Sequence, residues 1–268
     1  MPRGFETAEM EAALSVEKLS RRQSFMPPYS TSAVIYDRMV GLFAFDHWRE
    51  NFERLERRFG FELSLVADVA CGTGLAAAYL ARKGARVFAT DLSLHMLREA
   101  ASGRGGGRIR YVQQDMRYLQ TPCQVSLINC ATDAMNHLLY EAEIEMCLAS
   151  LRAALRPGGY AVFDMNTAWQ LREGSDAKSW EFDVDGQHML WLSAWDEKKM
   201  ISTLTIIFTA MGDRGGDIVE VHRERAYDMT WVREVLLKMG FSHVEVIDAA
   251  GLGKAGNRTR RLIFVARA

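Results

Sequence analysis

Two glycines and an acidic residue in the first half of the chain have the spacing of a nucleotide-binding site. In the segment VADVACGTGLAAAYLARKG (66–84), a loop with Gly72 and Gly74 joins an apolar run to an alanine-rich helical pattern. Such a loop lets the backbone approach a ligand closely, and the helix that follows offers free N–H groups. Asp91 ends the next apolar run, where an acid can accept hydrogen bonds from the ribose hydroxyls of an adenosine. These residues fit NAD and S-adenosylmethionine equally well.

Two further acids favour S-adenosylmethionine over NAD. Asp68 lies four residues before Gly72, where a carboxylate gains nothing beside a diphosphate but can bind an ammonium or sulfonium group. Asp115 closes a third apolar run, 24 positions after Asp91, and can accept the exocyclic amine of adenine beside the backbone N–H of Met116. Acids at the carboxyl ends of three parallel strands line one crevice. We therefore expect S-adenosyl-L-methionine as the cofactor and S-adenosyl-L-homocysteine as its product.

The elements that must position these residues follow from the alternation of patterns along the chain. From Leu63 onward, short β-rich runs alternate with helical stretches, which predicts a doubly wound α/β domain built on a parallel sheet. After Gly174, alternating apolar residues and the Asp185-Gly186 pair predict antiparallel strands joined by a tight hairpin. A helical pattern and the runs HVEVIDA and RRLIFVARA then return to the first domain.

The predicted organisation has three parts. Residues 1–60, with a helical pattern over 7–22, are expected to be N-terminal helices that cover the cofactor site. Residues 61–174 and 230–268 are expected to form the cofactor-binding domain. Residues 175–229 are expected to form an antiparallel β cap, inserted between the fifth and sixth strands, that supplies part of the acceptor pocket.

Composition and charge restrict the class of protein. The chain has 268 residues, of which 49% are hydrophobic and 25% charged, as is typical of a globular protein with a sizeable core. Its net charge is -1, whereas domains that bind nucleic acids usually carry an excess of basic residues. The four cysteines lack the spacing of a zinc site or a disulfide framework, so no metal is expected. Because no apolar run reaches the roughly 18 residues of a membrane span, and the N-terminus does not look like a signal peptide, we expect a cytoplasmic protein.

The motifs DVACGTG, ATDLS, QQDM and LRPGG, in this order, resemble those of the class I S-adenosylmethionine-dependent methyltransferases. The resemblance covers about residues 60–170 strongly, and the last helix and two strands more loosely. It implies a Rossmann-like sheet of seven strands whose last strand, RRLIFVARA, is antiparallel to the others. It also implies a set of residues around the cofactor: Tyr29, Tyr36, Asp68, Ala70, Gly72, Gly74, Asp91, Leu92, Met96, Asp115, Met116 and Asn129.

The resemblance also assigns the acidic residues to parts of the cofactor. Asp68 and Gly72 would face its methionine end, and Asp91 its ribose. Asp115, together with Met116, would face the adenine. Under this assignment, the three acids face the three parts of one bound cofactor.

Two tyrosines precede this domain in the segment YSTSAVIYD, which resembles the lead-in of small-molecule methyltransferases. Tyr29 or Tyr36 could therefore reach over the methionine end of the cofactor, and the alternative is packing between helices. The preceding MPPY (26–29) is similar to the Asn/Asp-Pro-Pro-Tyr motif of enzymes that methylate amino groups of bases. Met26 cannot hold such an amine, so we interpret MPPY as a helix stop.

Candidates for the rim of the active site follow the fourth predicted strand in NCATDAMNHL: Asn129, Asp133, Asn136 and His137. In relatives of this class, residues after this strand border the sulfonium and the acceptor. Asp133 could instead cap a helix, and His137 could be a polar side chain satisfied within the fold.

His222 and His137 are the candidate catalytic residues. The positive sulfur already activates the methyl group, so the protein must mainly align the reactants, exclude water and manage one proton. An imidazole titrates near neutral pH and suits the last task. In EVHRERAYD, His222 and Glu224 share one strand face and Arg223 lies on the other; one face is expected to look onto the cofactor crevice, and an exposed edge strand is the alternative.

Three functions remain open, and the leading one is methyl transfer to a nitrogen or oxygen of a small-molecule acceptor. The cap aromatics could wall an apolar acceptor pocket or pack the cap on the domain: Trp180, Phe182, Trp191 and Trp195. The basic run GKAGNRTRR (253–261) keeps an RNA methyltransferase as the second, although nucleic acid is not the expected partner. The third is a non-catalytic module that binds S-adenosylmethionine. We expect no membrane partner and a monomer or homodimer.

Overall fold

The structure is a computed structural model that describes residues 23–104, 106–175, 178–210, 216–256 and 258–268. The helix predicted over 7–22 lies outside the described residues.

The described chain contains twelve strands and six α-helices. The strands are β1 (Gln23–Met26), β2 (Leu65–Val69), β3 (Arg86–Asp91), β4 (Ile109–Gln113), β5 (Val125–Cys130), β6 (Leu155–Asn166), β7 (Ser179–Val184), β8 (Gln187–Asp196), β9 (Ile201–Phe208), β10 (Asp217–Arg225), β11 (His243–Asp248) and β12 (Arg261–Arg267). The helices are α1 (Leu42–Phe59), α2 (Leu75–Arg82), α3 (Leu94–Arg104), α4 (Glu141–Ala154), α5 (Ala168–Ser175) and α6 (Met229–Lys238).

Seven strands form the central sheet, in the order β11-β12-β6-β5-β2-β3-β4. The strands from β2 to β6 pair in parallel, whereas β12 is antiparallel to both β6 and β11. This arrangement confirms the predicted doubly wound fold with a reversed last strand. Every residue of β5 is buried, as expected of a parallel strand covered on both faces.

Helix α4 packs on the central sheet through one apolar face. Its buried residues recur at intervals of three and four: Ile144, Cys147, Leu148 and Leu151. That spacing puts them on one face of the helix, where they join β5 and β6 in a single apolar cluster. Fully burying one such leucine contributes about 1.5–3 kcal/mol, so this face fixes the helix on the sheet.

A second sheet has five strands in the order β1-β10-β9-β8-β7. Strands β7 to β10 are antiparallel and lie within the predicted cap segment. The β7–β8 turn has Asp185 at φ 51° and Gly186 at φ 79°, as the predicted tight hairpin requires.

Strand β1 is the element that the sequence did not predict. We expected helices in residues 1–60, but Gln23–Met26 is a strand that pairs in parallel with β10. Four residues before a proline pair show too little alternation to identify a strand, and the pairing partner lies far away in sequence. The edge of the cap sheet therefore comes from the N-terminal part of the chain.

Residues 23–41, which we call the strap, connect the two sheets. After β1, the strap contains a 3₁₀ turn (Ser32–Val34) and a π-helical turn (Asp37–Gly41) that leads into α1. Its Asp37 accepts a 2.6 Å hydrogen bond from the Thr73 hydroxyl in the glycine loop and pairs with Arg104. The strap is thus bound to the cap at one end and to the cofactor-binding domain at the other. Among the described helices, none is long and apolar enough to cross a membrane.

Candidate active site

The glycine loop runs from β2 into α2, and its two glycines serve different purposes. Gly72 has φ 52° and open space where a Cβ would lie, so a ligand can approach its backbone. Gly74 has φ 80°, and a Cβ there would lie 2.5 Å from the Tyr111 hydroxyl. Gly74 therefore lets the loop pack against β4, and it is not among the residues that line the cavity described below.

Asp91 holds the glycine loop in place from the end of β3. Its Oδ2 accepts a hydrogen bond of 2.8 Å from the Gly72 N–H, and its Oδ1 accepts one of 2.8 Å from the Ser93 N–H. Burial raises the pKa of Asp91, and these backbone bonds oppose the rise. Asp91, which was predicted from the sequence to bind the ribose, is thus held in place beside the glycine loop.

Asp68 lies on β2 with 1% of its surface exposed. Its Oδ1 accepts a hydrogen bond of 2.6 Å from the Asn129 amide, whereas its Oδ2 is buried and has no partner among the described residues. Burial raises the pKa of Asp68 to about 7. A buried carboxylate oxygen without a partner is costly unless a ligand supplies a donor or a positive charge.

Asp115 already has a partner in the protein. The Arg117 backbone N–H donates to its Oδ1 at 2.9 Å, and the Arg117 guanidinium donates to both of its oxygens. These hydrogen bonds lower the pKa of Asp115. The sequence analysis did not identify Arg117, although its position two residues later places it within reach.

These residues surround a cavity of about 860 Å³ above the carboxyl ends of the central strands, which we call the first cavity. All the predicted cofactor-binding residues except Gly74 and Asn129 line it: Tyr29, Tyr36, Asp68, Ala70, Gly72, Asp91, Leu92, Met96, Asp115 and Met116. His137 lines it as well.

A second cavity, of about 660 Å³, lies between the central sheet and the cap. Its walls include cap residues that face the domain: Trp191, Leu204, Ile206, His222 and Glu224. Six residues line both cavities, so the two cavities meet at them: Tyr29, Tyr36, Ala44, Trp48, Ala131 and Thr132. Asn129 lines the second cavity, although it was predicted to bind the cofactor.

Tyr29 stands at this junction between two histidines. Its hydroxyl lies 2.9 Å from His137 Nε2, and its ring centroid lies 4.6 Å from that of His222. The other nitrogen of His137, Nδ1, lies 3.1 Å from the Arg223 carbonyl oxygen, which can only accept. His137 Nδ1 therefore carries the hydrogen, and Nε2 accepts from the Tyr29 hydroxyl. Both nitrogens of His137 thus make hydrogen bonds, and burial lowers its pKa.

His222 differs from His137 in its surroundings. It lines the second cavity, with 6% of its surface exposed, and its Nε2 lies 3.1 Å from Glu220 Oε2. The carboxylate can only accept from Nε2–H, which leaves Nδ1 without a hydrogen-bond partner in the described part of the chain.

A charged cluster that the sequence analysis largely missed forms part of the second cavity. Asp133 and Asp164 both pair with Arg261, and Glu224 accepts a hydrogen bond of 3.1 Å from the Asn166 amide. Burial, followed by the charge of Asp133, raises the pKa of Glu224 to about 8. Two carboxyl groups thus share one guanidinium, and Glu224 lies close enough for the charges of Asp133 and Arg261 to act on it. The separation of these residues in sequence hid the cluster.

Two predicted rim residues are held by the fold. Asp133 does not cap the turn that follows it, because its side chain binds Arg261 instead. Asn136 is buried and donates to the carbonyl oxygens of Asn166 and Arg225, so it ties the cap to the central sheet. Arg261, from the basic run considered for RNA binding, is also engaged inside the protein.

Comparison with known proteins agrees with the geometry. Residues 66–159 match the model of a methyltransferase-domain family. A putative methyltransferase of Geobacillus sp. (strain WCH70) is 23% identical over 89% of this chain and 99% of its own. The cypemycin N-terminal methyltransferase of a Streptomyces species is 28% identical over 75% of this chain and 81% of its own.

Two solved structures share the fold. A S-adenosylmethionine-dependent methyltransferase from Clostridium acetobutylicum superposes with a TM-score of 0.75 at 23% identity, over 89% of this chain and 98% of that one. An amino pentose methyltransferase from Micromonospora echinaspora, solved with S-adenosylmethionine bound, gives a TM-score of 0.65 at 20% identity, over 88% and 95%.

The chain is a class I S-adenosylmethionine-dependent methyltransferase, the class that the order of its motifs indicated. Its cofactor is S-adenosylmethionine, and its product is S-adenosylhomocysteine. The residues of the first cavity fit this group, because the unpartnered Asp68 Oδ2 suits a positively charged ligand and not a diphosphate.

Proposed function

We propose that this enzyme transfers a methyl group to a small-molecule acceptor bound in the second cavity. The main support for the proposal is that the two cavities meet at six shared residues: Tyr29, Tyr36, Ala44, Trp48, Ala131 and Thr132. A volume of about 660 Å³ is in the range of small-molecule sites, and the cap closes the cavity from above. An acceptor there would lie next to a cofactor held in the first cavity.

The chain's own residues would hold and orient the cofactor, which supplies a methyl group on a positively charged sulfur. We assign Asp68 to its ammonium group and Asp91 to its ribose. Asp115 and Met116 are assigned to the adenine. The hydrogen bond from Arg117 fixes the orientation of the Asp115 carboxylate. Holding the two reactants in adjacent cavities aligns them, which is a main demand of this reaction.

His222 has the better claim to handle the acceptor's proton. His137 would have to break its bond to Tyr29 before it could accept a proton at Nε2. His222 lines the proposed acceptor cavity and has a free Nδ1, while Glu220 holds its other nitrogen. A carboxylate behind an imidazole fixes its tautomer and stabilises the positive charge that it gains.

The charges around the second cavity favour an amine as the acceptor group. Asp133 and Asp164 outnumber the one guanidinium with which they pair, so the cavity attracts a protonated amine even though Glu224, with a pKa of about 8, is largely protonated at neutral pH. A proton must leave before the nitrogen can attack, and the unpartnered Nδ1 of His222 can accept it. By their names, the cypemycin relative methylates an N-terminus and the Micromonospora enzyme an amino sugar, which agrees with this preference.

The experiment is a S-adenosylhomocysteine release assay with matched acceptors. Each of a panel of small amines, amino sugars among them, is compared with its N-acetylated and its hydroxyl counterpart. We expect release to be accelerated by an amine and not by its acetylated counterpart. Tight binding of S-adenosylhomocysteine without turnover of any acceptor would instead support a non-catalytic module, and turnover of RNA that falls steeply with salt would support the RNA alternative.

A further inference from the structure

Glu220 lies on β10 with none of its surface exposed. Its carboxylate accepts hydrogen bonds from four successive backbone N–H groups of the strap: Tyr29 at 3.2 Å, Ser30 at 3.1 Å, Thr31, and Ser32 at 3.0 Å. The Ser32 hydroxyl donates a further bond of 2.8 Å. One side chain of the cap therefore binds the whole turn of the strap that carries Tyr29.

The same carboxylate holds His222, whose Nε2–H donates to Oε2 at 3.1 Å. Burial alone would raise the pKa of Glu220, but the bonds from His222, Ser32 and the strap backbone outweigh burial and lower it. Glu220 is therefore an anion at neutral pH. Its carboxylate contacts both the strap, whose Tyr29 lines the first cavity, and His222, which lines the second.

We propose that Glu220 is a positioning residue that couples closure of the strap over the first cavity to the orientation of His222 in the second. Tyr29 is the physical link, because its hydroxyl binds His137 and its ring packs on His222. The part that concerns His222 rests on the function proposed above. The part that concerns the strap depends only on the cofactor cavity.

The role requires a carboxylate and not merely a polar side chain. Oε1 accepts from the N–H groups of Ser30, Thr31 and Ser32, and Oε2 accepts from Tyr29, the Ser32 hydroxyl and His222. An amide in place of the carboxylate would point NH₂ donors at one of these two groups of donors. Glu220→Gln therefore keeps the size of the side chain and releases part of the turn. Asp37 still holds the other end of the strap through Thr73.

The strap part is tested by hydrogen exchange and by S-adenosylhomocysteine affinity, neither of which needs an acceptor. In Glu220→Gln we expect the amides of residues 29–32 to exchange at least about tenfold faster, the effect of losing one charge-assisted hydrogen bond. Affinity should fall about tenfold, because a smaller fraction of molecules has the closed strap. Exchange in β2 (Leu65–Val69) should not change.

One control variant and one second test variant accompany this experiment. Glu224→Gln removes a carboxylate from the same face of the same strand, and Glu224 accepts its hydrogen bond from Asn166 and not from the strap backbone, so exchange at residues 29–32 should stay at the wild-type rate. Ser32→Ala removes one donor and leaves the carboxylate, and it decides the question if Glu220→Gln does not fold. Two outcomes would overturn the strap part. One is wild-type exchange at residues 29–32 in both Glu220→Gln and Ser32→Ala, and the other is exchange in β2 that is accelerated as much as exchange at residues 29–32.

The His222 part is tested by ¹⁵N resonances of the imidazole and by a double-mutant cycle. We expect His222 to be protonated at Nε2 in the wild type and to lose this preference in Glu220→Gln. With an acceptor identified, Glu220→Gln should lower kcat about tenfold in the His222 enzyme but not in a His222→Asn background, while the loss of affinity persists in both. An unchanged tautomer would overturn this part. If no acceptor is turned over, the proposed function fails while the strap result stands.

Discussion

The side-chain amide of Asn129 donates a hydrogen bond of 2.6 Å to Asp68 Oδ1, and its oxygen accepts one of 2.9 Å from the Trp48 indole. This chain of contacts fixes the Asp68 carboxylate while leaving its Oδ2 without a partner. Asn129 lines the second cavity and Asp68 the first, so the pair forms part of the wall between them. The wall thus presents a polar group to each side.

Asp68 should control cofactor affinity through its charge. Asp68→Asn keeps an acceptor for Asn129 but loses the anion, and it should weaken S-adenosylhomocysteine binding by about 1.5–3 kcal/mol. Because the pKa of Asp68 is about 7 in the free protein and a bound ammonium favours the ionised form, wild-type affinity should rise with pH up to about 7. Calorimetry from pH 5.5 to 8 measures both effects. Equal wild-type affinity at the two ends of this range contradicts the assignment, and the exposed Asp46→Asn is the control.

The two glycines of the loop should differ in what their replacement costs. Gly74→Ala forces a Cβ against the Tyr111 hydroxyl at a positive φ, so we expect a loss of about 1–3 kcal/mol in the free energy of unfolding. Gly72→Ala shares the positive φ but meets open space, so its main effect should be weaker cofactor binding. Urea unfolding and calorimetry on both variants check this. The account fails if Gly74→Ala is as stable as the wild type.

The two histidines should also separate in kinetics. His222→Asn is expected to lower turnover about 100- to 10,000-fold, the usual contribution of a general base, with little change in S-adenosylhomocysteine affinity. His137→Asn should act mainly on cofactor affinity, because it removes the partner of the Tyr29 hydroxyl in the first cavity. Steady-state rates and calorimetry measure the two effects. Wild-type turnover in His222→Asn would rule it out as the base.

Glu224 should make the protein less stable at high pH. Its pKa of about 8 in the folded protein lies above the unfolded value of about 4.3. The folded state therefore holds the proton more tightly, and this contribution to stability is full at low pH and lost as the pH rises through 8. Glu224→Gln should exceed the wild type by on the order of 1–3 kcal/mol at pH 9 and match it near pH 4. Unfolding curves with the same pH dependence in both proteins would contradict this assignment.

Local patterns were sufficient to predict much of this molecule. The alternation from Leu63 onward predicted the order of strands and helices, because each element is defined by residues close in sequence. The acids Asp68, Asp91 and Asp115 were predicted to line one crevice for the same reason, since parallel strands place their carboxyl ends at one edge, and all three line the first cavity. The Asp185-Gly186 hairpin follows from the backbone conformations that only a few residues tolerate.

The remaining features depend on contacts between residues far apart in sequence. Strand β1 is identified by its pairing with β10, and Glu220 by the strap turn that it binds 188 to 191 residues away. The pairing of Asp164 with Arg261 is likewise a product of the fold, although Arg261 belongs to a run that suggested RNA binding. No spacing rule connects such residues, so their roles became visible only with the two cavities.

Binding of the acceptor in the second cavity can be tested by filling that cavity. Leu204→Trp adds a large ring to a wall residue on β9, and Thr205→Trp puts the same ring on the opposite face of the strand. We measure turnover with an identified amine acceptor, together with S-adenosylhomocysteine affinity. We expect Leu204→Trp to lose turnover while keeping its cofactor affinity, and Thr205→Trp to keep both. Wild-type turnover in Leu204→Trp would show that the acceptor binds elsewhere.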